Sequence, residues 1–122
     1  MSNAKRPALT AADLAQFTGS ETVYRHSIAR QILYTEGVQY VAERAGAYWL
    51  LDEIALNQAR PEIAAEAFQL WALTVTGSRA QLRCEDGNDN VVFSKEIDFT
   101  DFPLATIRLY VANRTILLPT EY

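Results

Sequence analysis

The chain has one cysteine and one histidine among its 122 residues. A lone thiol excludes an intrachain disulfide. With a single histidine beside it, no cysteine-based zinc site and few zinc-enzyme ligand sets remain open. Lysine is scarce: nine of the eleven cations are arginines, and only Lys5 and Lys95 are lysines. The longest basic run is Lys5-Arg6, and the net charge is -4. Phosphate neutralisation supplies most of the affinity of a nucleic-acid binder, so direct nucleic-acid binding is not expected. No apolar run approaches the roughly eighteen residues of a membrane-spanning helix, and no membrane association is expected. The five glycines (Gly19, Gly37, Gly46, Gly77 and Gly87) stand apart, which leaves no glycine-rich phosphate loop and no dinucleotide fingerprint. No cofactor and no metal site are expected.

What is present describes one globular domain. Apolar residues make up 49% and charged residues 21%, an ordinary balance for a chain able to bury its own core. Residues 1–8 read as a flexible N-terminus and residues 9–122 as a single domain. A charged segment followed by an apolar one is missing from the start, so no secretory signal is read and a cytoplasmic location is expected.

Thr10 with Asp13 is a helix-start pattern, with Leu9, Leu14 and Phe17 forming a small apolar face and Gly19 a stop. Residues 22–34 satisfy helical and strand spacing alike, and read as an irregular segment ending in a short extended piece. Thr35 caps a helix carrying Val38, Val41, Ala42 and Ala45 on one face, ended or interrupted by Gly46. A second helix from Ala47 is apolar nearly all round its first turn, which places it centrally. Pro61 opens a short third stretch through Ala67. Beyond it the period changes to two. Strands are expected over 68–76, 80–85, 91–99, 106–112 and 115–118, with turns at 77–78, 86–90 and 113–114. The fold class expected is α+β, an N-terminal helical layer packed on a four- to five-stranded antiparallel meander. Tyr122 is expected to fold its ring back onto the body.

Six segments carry a resemblance: Phe17-Thr-Gly-Ser-Glu21, Leu33-Tyr-Thr-Glu-Gly-Val38, Ala45-Gly-Ala-Tyr-Trp-Leu-Leu-Asp52, Glu85-Asp-Gly-Asn88, Phe99-Thr-Asp-Phe-Pro103 and Leu117-Leu-Pro-Thr-Glu-Tyr122. Together they resemble an uncharacterised bacterial domain-of-unknown-function family, often found on plasmids, prophages and integrative elements. The resemblance covers nearly the whole chain from about residue 15. It implies a shared fold and a mobile-element setting, and carries over no activity and no catalytic residues.

Two groups of residues are candidates for function. The first is Tyr24, Arg25, His26, Tyr34 and Glu36, which would bring polar and aromatic groups together around a ligand. His26 could act there as a general base, though a lone histidine more often bonds backbone and anchors a loop. The second is Glu85, Asp86, Asp89, Glu96, Asp98 and Asp101, six carboxylates against Lys95, a local charge of -5 able to attract a basic partner. The same residues suit a calcium loop poorly and a hairpin turn well. Cys84 shares a strand face with Leu82 and Ala80, so it reads as buried and inert. Trp49 and Trp71 read as core. The functional expectation is a non-enzymatic protein-interaction module of a mobile element, using the 85–101 hairpin on a protein partner. The alternative is a small enzyme or ligand-binding protein with its site around Tyr24–Glu36. A homodimer is compatible with either.

Overall fold

The computed structural model describes residues 9–18 and 22–122. The expected flexible N-terminus and the Gly19 helix stop lie outside them. In chain order the elements are α1 (Ala11–Ala15), β1 (Val23–Arg25), β2 (Leu33–Thr35), α2 (Glu36–Ala45), α3 (Tyr48–Leu56), α4 (Pro61–Ala64), β3 (Phe68–Thr76), β4 (Arg79–Glu85), β5 (Val91–Ile97), β6 (Thr106–Ala112) and β7 (Thr115–Leu117), with 3-10 turns at Asn57–Ala59 and Pro119–Glu121. The fold is α+β, and among the described residues the strands form one mixed sheet of seven in the order β1-β2-β7-β6-β3-β4-β5.

This corrects the expected four- to five-stranded antiparallel meander in three ways. Residues 22–34 contribute two strands, an antiparallel pair with Tyr24 opposite Tyr34. β2 then runs parallel to β7, pairing Leu33 with Thr115 and Tyr34 with Ile116. The chain also crosses after β5, so β6 lies beside β3 and not beside β5. The crossing is pinned by Thr100, whose backbone N–H donates to the Ser78 carbonyl at 2.7 Å and whose hydroxyl accepts from the Phe102 N–H at 3.1 Å. Phe102 is thereby buried. β5 stops at Ile97, short of the strand expected over 91–99, and Phe99 beyond it is 72% exposed.

Period-two alternation puts Trp71 and Leu73, Leu82 and Cys84, Ile107, Leu109 and Val111, and Ile116 on one face of the sheet. Val38, Val41 and Ala42 of α2 and Leu50, Leu51, Ile54 and Ala55 of α3 close over that face. Each fully buried aliphatic side chain contributes about 1.5–3 kcal/mol, which is where most of the folding free energy arises. The expected caps are present. The Thr10 hydroxyl accepts from the Asp13 N–H, the Thr35 hydroxyl accepts from the Val38 N–H, and Gly46 ends α2 in the left-handed conformation, φ 60. α4 is shorter than the sequence pattern, ending at Ala64. Tyr48 on α3 stays 40% exposed, so this helix is covered on one side only.

The chain's last turn closes on α2. The Glu121 carboxylate accepts from the Thr35 hydroxyl at 2.6 Å, the Gly37 N–H at 3.2 Å and the Leu118 N–H at 2.9 Å. A carboxylate at a helix N-terminus satisfies donors that the helix itself leaves unpaired, and meets the positive end of its dipole. A β-carbon on Gly37 would lie 2.7 Å from a Glu121 oxygen, so any larger residue there would push the carboxylate out of its present place in the clasp. Tyr122 is left 73% exposed, its ring resting edge-on against Phe68 and Tyr110 and not buried as expected.

Candidate functional site

Three places could carry function: the 24–36 segment, the 85–101 hairpin, and a cleft that no sequence motif marks.

His26 is 4% exposed and faces α3. Its Nδ1 accepts from the backbone N–H groups of Ile28 at 3.2 Å and Ala29 at 3.0 Å. An acceptor at Nδ1 places the ring hydrogen on Nε2, which donates to Asp52 Oδ1 at 2.8 Å. The only lone pair of this tautomer is therefore spent on the loop, and none is left to take a proton from a substrate. Asp52 is the solvent-facing member of the pair, its side chain 51% exposed. That inverts the arrangement of a catalytic dyad, in which the imidazole meets the substrate. His26 anchors the 26–32 loop, whose ends are also tied by the His26 N–H to the Ile32 carbonyl at 2.9 Å.

The other members of that group do not converge with it. Arg25 donates to the carbonyl of Arg30 within its own loop. Tyr24 and Tyr34 stack with centroids 5.6 Å apart. Partial burial, and then the neighbouring Tyr24, hold the Tyr34 phenol above its ordinary pKa, so it is neutral at physiological pH. Glu36 is exposed in the first turn of α2. The structure brings Tyr24 to Tyr34, while Arg25 is bonded to the Arg30 carbonyl and His26 to Asp52.

In the hairpin, Asp86 closes the turn. Its carboxylate accepts from the N–H groups of Asn88 at 2.7 Å and Asn90 at 3.0 Å, and from the Asn90 side chain at 3.1 Å. These bonds hold its pKa below the ordinary value. Asp89 sits in the same turn at φ 67. Cations from neighbouring positions interleave with the remaining carboxylates. Arg83 lies 3.3 Å from Glu85, and Arg79 lies 3.8 Å from Asp98. Glu96 accepts from the Gln81 side chain at 3.1 Å. Lys95 reaches off the hairpin to Glu53 of α3 at 2.7 Å. Asp101 is exposed beyond the strand. Arg79 and Arg83 thus offset two of the six carboxylates, Asp98 and Glu85, while Lys95 is drawn away to Glu53. Among the described residues, no group of three or more His, Cys, Asp or Glu side chains is arranged to hold a metal ion.

Cys84 is buried on the inner face beside Trp71, its strand partner. Burial, with Glu66, Glu85 and Asp86 nearby, pushes its thiol up to about 12, so no thiolate is available as a nucleophile.

The cleft lies at the end of the sheet where β3 begins and β6 meets β7. The 26–32 loop that His26 anchors forms one wall, and the end of α3 with its following turn forms another. Its volume is about 590 Å³, within the size range of small-molecule sites. Ile32, Ala55 and Val111, all buried, make an apolar floor. Ile28 and Leu56 stand at the mouth, 68% and 48% exposed. Such pairs of large aliphatic side chains beside one concavity are what a ligand would cover.

Two amides form the polar part of the wall. Gln69 Oε1 accepts from Gln58 Nε2 at 2.8 Å and from the Trp71 indole at 2.9 Å, while Gln69 Nε2 donates to Gln58 Oε1 at 2.9 Å and to the Ile63 carbonyl at 3.0 Å. The pair is closed on itself, and it couples the cleft to Trp71 in the core. Glu66, Asn113 and Arg114 bring the remaining polar groups to the lining. No local sequence signal marks this site, because its residues come from four separate segments and are mostly alanine, glutamine and aliphatic types.

A family model described as a family of unknown function, DUF6876, matches residues 8–122. No curated protein and no solved structure matches the chain. Among the described residues, no helix is long and apolar enough to cross a membrane.

Proposed function

The chain belongs to DUF6876, a family of unknown function, and we propose that it is a non-enzymatic ligand-binding domain whose site is the cleft between the 26–32 loop, α3 and the β6–β7 turn. One observation carries this reading. A concavity of about 590 Å³ combines a buried apolar floor with two exposed aliphatic side chains at its mouth. The lining joins this apolar floor to an at least equal share of polar surface, so the site suits a ligand with groups of both kinds. The geometry of His26 and Cys84 supports binding over catalysis, since neither can act as base or nucleophile where it stands. Recognition of a basic protein partner by the 85–101 hairpin is the weaker reading, because Arg79 and Arg83 offset carboxylates of that surface.

The test is ligand-observed NMR of a library of small apolar-tailed molecules against the native chain and an Ala59→Trp variant. Ala59 is exposed on the cleft wall, so an indole there fills the space without entering the core. Binders whose saturation-transfer signals vanish in the variant support the cleft. A library without binders, or binders indifferent to Ala59→Trp, overturns it.

A further inference from the structure

We propose that the cleft takes a small monocarboxylate, with its apolar body on Ile28, Ile32 and Leu56 and its carboxylate on Arg114. The assignment rests on the cleft being a binding site, and adds the class of ligand.

Arg114 carries it. The turn between β6 and β7 has two residues, since Ala112 pairs with Thr115. Both turn residues have positive φ, Asn113 at 53 and Arg114 at 61. Such a turn favours asparagine followed by glycine, because only glycine adopts the second position without strain. Arginine there works against the turn, and what it adds over glycine is a cationic side chain on a residue that lines the cleft. The turn is fixed in place, for the Leu33 N–H donates to the Arg114 carbonyl at 2.8 Å. Among the described residues the Arg114 side chain makes no hydrogen bond or ion pair. An exposed guanidinium beside an apolar floor is complementary to a carboxylate on an apolar chain, which it can hold through two parallel bonds.

The other polar groups limit the ligand further. Gln58 and Gln69 are occupied by each other, so they compete little for the anion. Glu66 borders the cleft at the start of β3, close enough to Cys84 of β4 to act on its thiol. Phe68 pairs with Ala112, so Glu66 and Arg114 extend just past the same end of the β3–β6 pair. The negative charge of Glu66 in the same lining disfavours a second carboxylate on the ligand. The ligand class is therefore a monocarboxylate and not a dicarboxylate.

Isothermal titration of the full chain with three eight-carbon probes tests this: octanoate, octan-1-ol and suberate. Octanoate is expected to bind at least about tenfold more tightly than octan-1-ol, the size of one hydrogen-bonded charge contact, and suberate more weakly than octanoate. Arg114→Gly is expected to remove the preference by weakening octanoate about tenfold while leaving octan-1-ol unchanged. Arg114→Gln, which keeps a polar hydrogen-bonding side chain without charge, should behave as Arg114→Gly does. Equal binding of octanoate and octan-1-ol, both lost in Ala59→Trp, overturns the carboxylate assignment and leaves the cleft standing. Absence of binding by all three probes overturns both. Suberate binding as tightly as octanoate overturns the part assigned to Glu66.

Discussion

Replacing Arg114 by glycine should make the protein more stable. An L-residue in the left-handed region costs about 1–2 kcal/mol, which glycine does not incur. Glycine in turn loses about 0.5–1 kcal/mol through the greater freedom of the unfolded chain. Arg114 is exposed and makes no side-chain bond with the described residues, so little is lost by removing it. The net expectation is a gain of about 0.5–1 kcal/mol, or a rise in Tm of about 2–6 °C for a chain of this size. Urea unfolding followed by tryptophan fluorescence reads it, because Trp71 is buried in the native core. Arg114→Ala is the control: it removes the same guanidinium but keeps a β-carbon at φ 61, so it should show no gain. If Arg114→Gly is destabilised, or if glycine and alanine are equivalent, strain at this turn is not what the arginine overcomes. A gain in stability paired with a loss of octanoate binding would be the trade-off expected of a residue kept for its ligand.

Other perturbations test the supports of the fold. Gly37→Ala should destabilise by about 0.5–1.5 kcal/mol despite alanine's better helix propensity, because its β-carbon displaces the Glu121 carboxylate from the clasp; in a Glu121→Ala background the same change should instead stabilise, by up to about 1 kcal/mol. Denaturant titrations of the four chains complete that cycle. Asp52→Ala leaves the buried His26 Nε2–H without its acceptor and should cost about 1–3 kcal/mol, whereas Asp52→Asn, which retains an oxygen, should cost less. Cys84 should resist an aromatic disulfide reagent in the native state and react on unfolding. Its raised pKa means the folded chain holds the proton more tightly than the unfolded one. That contribution is complete below about pH 9 and is lost as pH rises toward 12, so alkaline unfolding should shift to higher pH in Cys84→Ala.

The sheet's larger strands were legible because their alternation is local. Phe68–Thr76 and Thr106–Ala112 begin and end where the apolar period does. The helix caps at Thr10 and Thr35 and the turn at Asn113-Arg114 were legible for the same reason. β1 and β2 were not. Each has three residues, and β2 finds its parallel partner β7 about eighty residues further along, a pairing that no local pattern encodes. The placement of β6 beside β3 depends on the crossover through Thr100 and Phe102, again a long-range choice. Three of the segments that carry the family resemblance serve architecture. Leu33–Val38 and Leu117–Tyr122 meet in the Glu121 clasp, and Ala45–Asp52 supplies both the Gly46 helix end and the partner of His26. The cleft has no such segment. Ile28, Leu56, Gln69 and Arg114 become neighbours only when the loop, α3 and the two sheet ends come together.

The cleft itself is tested most directly by intermolecular nuclear Overhauser effects between the chain protons of bound octanoate and methyl-labelled protein. The account predicts cross-peaks to the methyls of Ile28, Ile32 and Leu56, with the carboxylate end nearest Arg114. Cross-peaks confined to the Val91–Ile97 strand, or to the aromatic group of Phe68, Tyr110 and Tyr122 on the far face of the sheet, would contradict it.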